Sequence, residues 1–123
     1  MTDKVIDASA IAAIIFQEDA FEDVYETLKG ATLLAPELLP FEIANVCVKK
    51  IKRHGLATNI EAALKLFQRF DIQYVAVDVA GVCETSLTHN LSAYDASYLW
   101  LAKENDCELV TLDARLKLAS QAR

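Results

Sequence analysis

Glycine and proline are scarce in this chain, three and two among 123 residues. So few turn formers exclude an all-β sandwich, and a hydrophobic share of 54% excludes a disordered segment. Long hydrophobic runs are missing too. The longest apolar stretch, Ala8 to Phe16, is interrupted by Ser9 and stops at Gln17, short of the roughly 20 residues a membrane-spanning helix needs. The opening Met1-Thr2-Asp3-Lys4 has no basic segment leading into an apolar one, so no export signal is expected. The cysteines, Cys47, Cys83 and Cys107, are odd in number, far apart and flanked by apolar residues. They read as small core residues of a cytoplasmic protein rather than a disulfide framework or zinc site. His54 and His89 lack metal-ligand spacing. Positive charge is in the minority, 12 Lys and Arg against 18 Asp and Glu for a net −6. That balance argues against a general nucleic-acid coat. It is compatible with an enzyme that gathers carboxylates in one pocket and keeps its basic residues on another face.

The length suits one ordinary domain, residues 1–123. Four short stretches are apolar at nearly every position, as buried parallel strands are: Lys4–Asp7, Thr32–Ala35, Ile72–Val77 and Glu108–Thr111. Helical spacing fills the intervals. Phe21, Val24, Tyr25 and Leu28 mark one helix, and Phe41, Val46 and Ile51 a longer one. Ala63, Leu64, Phe67 and Phe70 mark the next; Val82 with Leu87 and Ala96 to Leu101 mark two more. Gly30 is placed to close the first of these, Pro36 and Pro40 to begin the long helix and Gly55 to end it. Strands alternating with helices indicate an α/β fold with a mainly parallel sheet of four to five strands. Right-handed crossovers would cover both faces, giving three α/β/α layers.

The acids occupy informative places. Asp7 follows Val5-Ile6 and Asp113 follows Leu109-Val110-Thr111-Leu112, each just before a helical stretch. Both therefore stand at the carboxyl ends of expected central strands, where open α/β sheets bind ligands. Glu42 falls in the first turns of the long helix, and Asp95 opens another. Singly, Asp7, Asp95 and Asp113 are accounted for as helix caps, and Ser92 to Asp95 has capping-box spacing. Glu42, on an apolar helix start, is harder to explain that way. Together, four acids on one rim of a sheet repel one another unless protonated or bound to a cation. Hard oxygen ligands favour Mg²⁺ or Mn²⁺, which suit hydrolysis of a phosphodiester without a nucleophilic side chain.

Four motifs carry a resemblance: Val5-Ile6-Asp7-Ala8-Ser9-Ala10, Pro40-Phe41-Glu42-Ile43-Ala44-Asn45, Leu91-Ser92-Ala93-Tyr94-Asp95-Ala96-Ser97-Tyr98 and Leu109-Val110-Thr111-Leu112-Asp113. In this order and spacing, over nearly the whole chain, the sequence resembles a PIN domain, and within that group the VapC-type toxins of toxin–antitoxin pairs. The resemblance implies that Asp7, Glu42, Asp95 and Asp113 are the catalytic, metal-holding quartet, supported by Ser9, Thr111 and Asn45. It implies an Mg²⁺- or Mn²⁺-dependent endoribonuclease, an RNA substrate, a small antitoxin partner and a homodimer. Members of that family often add a short strand after the last helix; here Ala119-Ser120-Gln121-Ala122-Arg123 leaves no such stretch, so an edge strand is expected to be absent or trimmed.

Lys49, Lys50, Lys52 and Arg53 form a basic run at the end of the long helix. It complements the helix dipole and, beside the acids, could grip RNA phosphates. Tyr94, Tyr98, Trp100 and Leu101 make the Asp95 helix apolar around much of its circumference, which fits a buried helix or a subunit interface. Asp71, Asp78 and Asp106 read as loop acids. Two other functions stay open at this point: a receiver-type phosphoacceptor domain, which would want an acidic pair early and a Lys late, and a non-catalytic PIN scaffold.

Overall fold

The computed structural model describes residues 2–55 and 59–122. The chain runs β1 (Thr2–Ile6), α1 (Ala8–Ile15), α2 (Phe21–Leu28), β2 (Ala31–Pro36), α3 (Leu39–His54), α4 (Ile60–Gln68), β3 (Ile72–Val75), α5 (Val79–His89), α6 (Ala93–Glu104), β4 (Glu108–Val110) and α7 (Ala114–Gln121). The four strands form one sheet in the order β3-β2-β1-β4, and every pairing is parallel. The α/β class, the parallel sheet and the lower strand number agree with the sequence.

Connection order sets the layers. The crossovers from β1 to β2 and from β2 to β3 step in one direction, so right-handedness places α1 to α4 on one face. The return from β3 to β4 crosses back over the sheet, which places α5 and α6 on the other. There α6 packs against β1, β2 and β4, and α7 packs against α6 and β4. Helix α1 is buried from Ala10 to Ile15, because α2, α3 and α4 all pack against it. An eight-residue helix apolar on every side has no solvent face to offer, which explains the unbroken run of the sequence. Val5, Ile6, Ile11, Leu39, Ile43, Tyr98, Leu99, Leu101 and Leu116 form the fully buried centre, and truncating one such aliphatic residue costs about 2–5 kcal/mol.

Particular residues set the joints. Gly55 ends α3 at φ 71°, a left-handed conformation that glycine adopts without strain. At Gly81 a Cβ would meet Trp100 Nε1 at 2.4 Å, so the bare backbone is what lets α5 lie close on α6. Lys4 and Glu108 are register partners on β1 and β4, and their side chains pair at 2.8 Å.

Several expectations change in detail. Strand β4 lies at the edge of the sheet, so Asp113 follows an edge strand and only Asp7 follows a central one. Pro36 ends β2 and Pro40 alone sits in the first turn of α3. Strand β3 stops at Val75, and half of its residues are exposed. Of the cysteines only Cys47 is buried; Cys83 is exposed and Cys107 half-buried. Asp78 caps α5 by accepting from the Gly81 amide.

Candidate active site

The connection from β1 leaves toward one face of the sheet and the connection from β4 toward the other. A crevice opens between two adjacent strands whose connections diverge in this way, at their carboxyl ends. Asp7 and Asp113 are the residues that leave β1 and β4 there.

Asp7 is 6% exposed, and its side chain accepts three hydrogen bonds. Its Oδ1 accepts from the Ser9 hydroxyl at 2.7 Å and from the Ala10 amide at 3.1 Å, and its Oδ2 accepts from the Thr111 hydroxyl. The Ala10 bond caps α1, so the capping role is real. It uses one lone pair of one oxygen. By count, Oδ2 keeps a lone pair free while Oδ1 is saturated. Burial pushes the Asp7 carboxyl above the usual carboxylate range; Thr111, Ser9 and Ala10 pull it back, and Asp113 pushes it further up.

Ser9 and Thr111 work in both directions. Each spends its only proton on Asp7 and accepts a backbone amide from the segment after β4: Leu112 N to Ser9 Oγ at 2.9 Å and Asp113 N to Thr111 Oγ1 at 3.0 Å. With both protons committed, the 3.4 Å approach of the two hydroxyl oxygens is a contact and not a third bond. The pair thus braces Asp7 and locks the loop that carries Asp113. Asp113 itself caps α7 by accepting the Leu116 amide at 2.9 Å, and it remains exposed.

Glu42 and Asp95 approach from opposite layers. Glu42, half-buried one turn into α3, accepts the Tyr98 hydroxyl from α6. Burial raises its pKa, the Tyr98 bond lowers it, and Asp95 and Asp7 raise it again. Tyr98 is only 1% exposed, and burial together with the neighbouring acids holds its phenol far above the ordinary value, so it stays a donor. Asp95 sits in the first turn of α6, whose cap is Ser92 accepting from the Asp95 amide at 3.1 Å. Its carboxyl is raised by burial and by Asp113, and lowered by Ser92 and by Arg115.

The electrostatic couplings close a ring: Asp7 with Asp113, Asp113 with Asp95, Asp95 with Glu42 and Glu42 with Asp7. Among the described residues the salt bridges pair Lys4, Lys29, Lys50 and Lys65 with other acids, so no ion pair reaches the ring. The four carboxylates are thus coupled through the crevice, although among the described residues no three His, Cys, Asp or Glu side chains stand close enough together to hold a metal ion. The donor set, four carboxylates of which three are raised, with Arg115 the one cation among the described residues that eases Asp95 from a distance, is of the hard-oxygen kind that divalent cations take.

The other sequence candidates are scattered along α3. Asn45 lies one turn past Glu42, exposed, and lines with Leu38, Phe41, Glu42 and Tyr94 a cavity of about 410 Å³. Lys50 is turned toward α1, 3.6 Å from Glu18 and 4.5 Å above the Phe16 ring. Lys49 and Arg53, about two and three turns beyond Glu42, fall on the same side of the helix as that acid; Lys52 is exposed beside them. Tyr98 and Leu101 are buried, whereas Tyr94 is 67% exposed. Sequence reasoning missed the Tyr98–Glu42 bond, which joins residues 56 apart. It also missed Arg115, which donates to the Asn90 carbonyl at 2.7 Å and steadies the turn into α6.

A family model described as PIN domain matches residues 4–121. VapC ribonuclease Mb0985 of Mycobacterium bovis is 34% identical over 122 residues, covering 97% of this chain and 92% of that protein. Ribonuclease VapC3 of Pyrobaculum aerophilum is 32% identical over 119 residues, with 91% and 90% covered. The crystal structure of PAE2754 from Pyrobaculum aerophilum superposes with a TM-score of 0.76 over 98% of this chain and 87% of that one, at 22% identity, a likeness of fold.

Proposed function

The chain belongs to the PIN-domain family, and from that premise we propose that it is a divalent-metal-dependent endoribonuclease of the VapC type. The observation that carries the reading is the electrostatic coupling of four carboxylates, Asp7, Glu42, Asp95 and Asp113, to none of which a salt bridge reaches among the described residues. Relatives named as VapC ribonucleases support RNA as the substrate.

Asp7, Glu42, Asp95 and Asp113 are the residues that would hold Mg²⁺ or Mn²⁺. When bound, such ions neutralise the ring, offset charge on the scissile phosphate and make water a stronger nucleophile at neutral pH. The chain's own part is positioning. Ser9, Ala10 and Thr111 fix Asp7 with a lone pair free on Oδ2. Tyr98 fixes one oxygen of Glu42 and leaves the other open. Asp95 and Asp113, on the first turn and cap of their helices, supply the more exposed side. Four helix N-termini, those of α1, α3, α6 and α7, lie at this end of the sheet, and their dipoles temper the repulsion until a cation arrives.

Lys49 and Arg53, with Lys52, are assigned to RNA phosphates leading away from the cut; Lys50, engaged with Glu18, contributes less. Residues 1–123 are read as one domain working in the cytoplasm, with a small antitoxin protein as partner. Homodimer formation is supported by α5, where Val79 and Leu87 are 71% and 84% exposed and Cys83 lies exposed between them, four residues from each. Such a stripe on one helix face asks for a cover. The receiver alternative falls with the family assignment, and the scaffold alternative is disfavoured by the presence of all four acids.

The test is cleavage of total cellular RNA with Mg²⁺ or Mn²⁺ by the wild type, by Asp95→Asn and by wild type with chelator. Discrete fragments from the metal-supplied wild type alone are expected. Cleavage that persists in Asp95→Asn and under chelation would overturn the metal-cage reading.

A further inference from the structure

Each of the less buried acids of the ring directly follows an exposed apolar residue: Phe41 before Glu42, Tyr94 before Asp95 and Leu112 before Asp113. Their exposures are 78%, 67% and 46%. Two of the three are aromatic, and both line the cavity of about 410 Å³ that Glu42 itself borders, with Leu38 and Asn45 completing it. Phe41 comes from α3 on one face of the sheet and Tyr94 from the start of α6 on the other, so the two rings enter the cavity from opposite layers.

Resting on the ribonuclease reading, we propose that Phe41 and Tyr94 form a stacking subsite for an unpaired nucleobase of the RNA, adjoining the scissile phosphate. Three observations favour a base as the occupant. Glu42 belongs both to the cavity wall and to the carboxylate ring, so a nucleotide base in the cavity would adjoin a phosphate at the ring. Aromatic rings offer π-faces that hold any base without sequence preference, whereas α5 offers the apolar stripe with no aromatic in it. Asn45 supplies an amide with both donor and acceptor at the wall, the pairing that suits a base edge. Phe41 and Tyr94 therefore fix where a base lies beside the cut, Asn45 biases its identity, and an unstacked single strand is the substrate form.

The experiment uses the full chain in an Asp95→Asn background with Mg²⁺ and reads fluorescence anisotropy. The probes are a labelled mixed-sequence single-stranded oligoribonucleotide and its abasic counterpart with the same ribose–phosphate backbone. Expected are weaker binding of the abasic probe and a loss of roughly tenfold for Phe41→Ala or Tyr94→Ala on the intact probe, with neither change on the abasic one. Tyr94→Phe should restore binding, and Phe41→Leu should not. Equal binding of both probes, or rescue by Phe41→Leu, overturns the subsite. So does a result in which the alanine variants lose self-association in sedimentation and keep RNA affinity, which assigns the rings to a second copy. Wild-type cleavage is followed separately: a cleaving protein with ring-independent binding loses only the subsite, and one that binds neither probe and cuts nothing loses both readings.

Discussion

The two ends of the sheet differ in a way that cavity size conceals. At the amino ends of β2 and β3 lies the larger hollow, about 560 Å³, lined by Ile14, Leu28, Gly30, Leu33, Phe70 and their neighbours. Its charged groups, Lys29, Arg69 and Asp71, are of both signs. At the carboxyl ends sit four acids of one sign, a buried carboxylate with three donors and a buried tyrosine held as a donor. All strands are parallel, so every strand end and the N-termini of α1, α3, α6 and α7 share that side. Chain direction concentrates polar, partly desolvated groups at one end and leaves the other as a packing gap between helices. Chemistry follows direction here, not volume.

The sharpest way to break this contrast is one carboxylate change at each end. Asp95→Asn should lower RNA cleavage by about 100-fold or more, because the charge of one metal ligand is worth several kcal/mol. Asp71→Asn, in the larger hollow, should leave the rate unchanged; a comparable loss there would erase the distinction. Next in size is Thr111→Val, which keeps shape but removes the donor to Asp7 and the acceptor for the Asp113 amide. Support of this kind is worth about 10–100-fold in metal affinity or activity, read from Mg²⁺ titrations of the cleavage rate. Mg²⁺ itself should raise the melting temperature of the wild type, by roughly 2.7 kcal/mol of stability at a hundred times its Kd. It should do so much less for Asp95→Asn.

The smallest effect is in the metal-free protein. Burial and mutual repulsion raise the Asp7, Glu42 and Asp95 carboxyls. A raised folded-state pKa means a contribution to stability that is complete below the unfolded carboxylate range and is lost as pH rises through the folded value. Metal-free Asp95→Asn should therefore melt higher than wild type near neutrality, on the order of a few degrees. The gap should close as the pH falls to the acid end of the carboxylate range. A gap that widened toward acid would show that Asp95 is stabilised by its surroundings and not strained by them.

Much of the fold was legible because single-residue patterns determine it. Mostly apolar stretches such as Thr32–Ala35 read as buried strands, and helical spacing filled the rest. The acids stood out because Asp7 follows Val5-Ile6 and Asp113 follows Leu109-Val110-Thr111-Leu112. What could not be read depends on strand order and on which helices face one another. Apolar content made β4 look central, yet its place at the edge is set by the crossover from β3. Tyr94 and Tyr98 are the same residue type one turn apart on α6, but one is exposed and the other buried. Both project from the same side of α6, so the difference lies along its axis: Tyr94 stands in the first turn at the open end, and Tyr98 one turn deeper, where its hydroxyl reaches Glu42. Likewise Cys83 looked like a core residue among apolar neighbours, but α5 rests on α6 through its Gly81 side and turns Cys83 outward.

The bond from Thr111 to Asp7 spans 104 positions of sequence, and the one from the Leu112 amide to Ser9 spans 103. Strand β1 is made early and must wait beside β2 with one edge unpaired until β4 is available. During synthesis from the ribosome, Asp7 would therefore have its local donors, Ser9 and Ala10, but lack Thr111 and its neighbour Asp113 until β4 had emerged. The hydroxyl that holds Asp7 from across the sheet and the acid that neighbours it thus arrive together, with the last strand to pair.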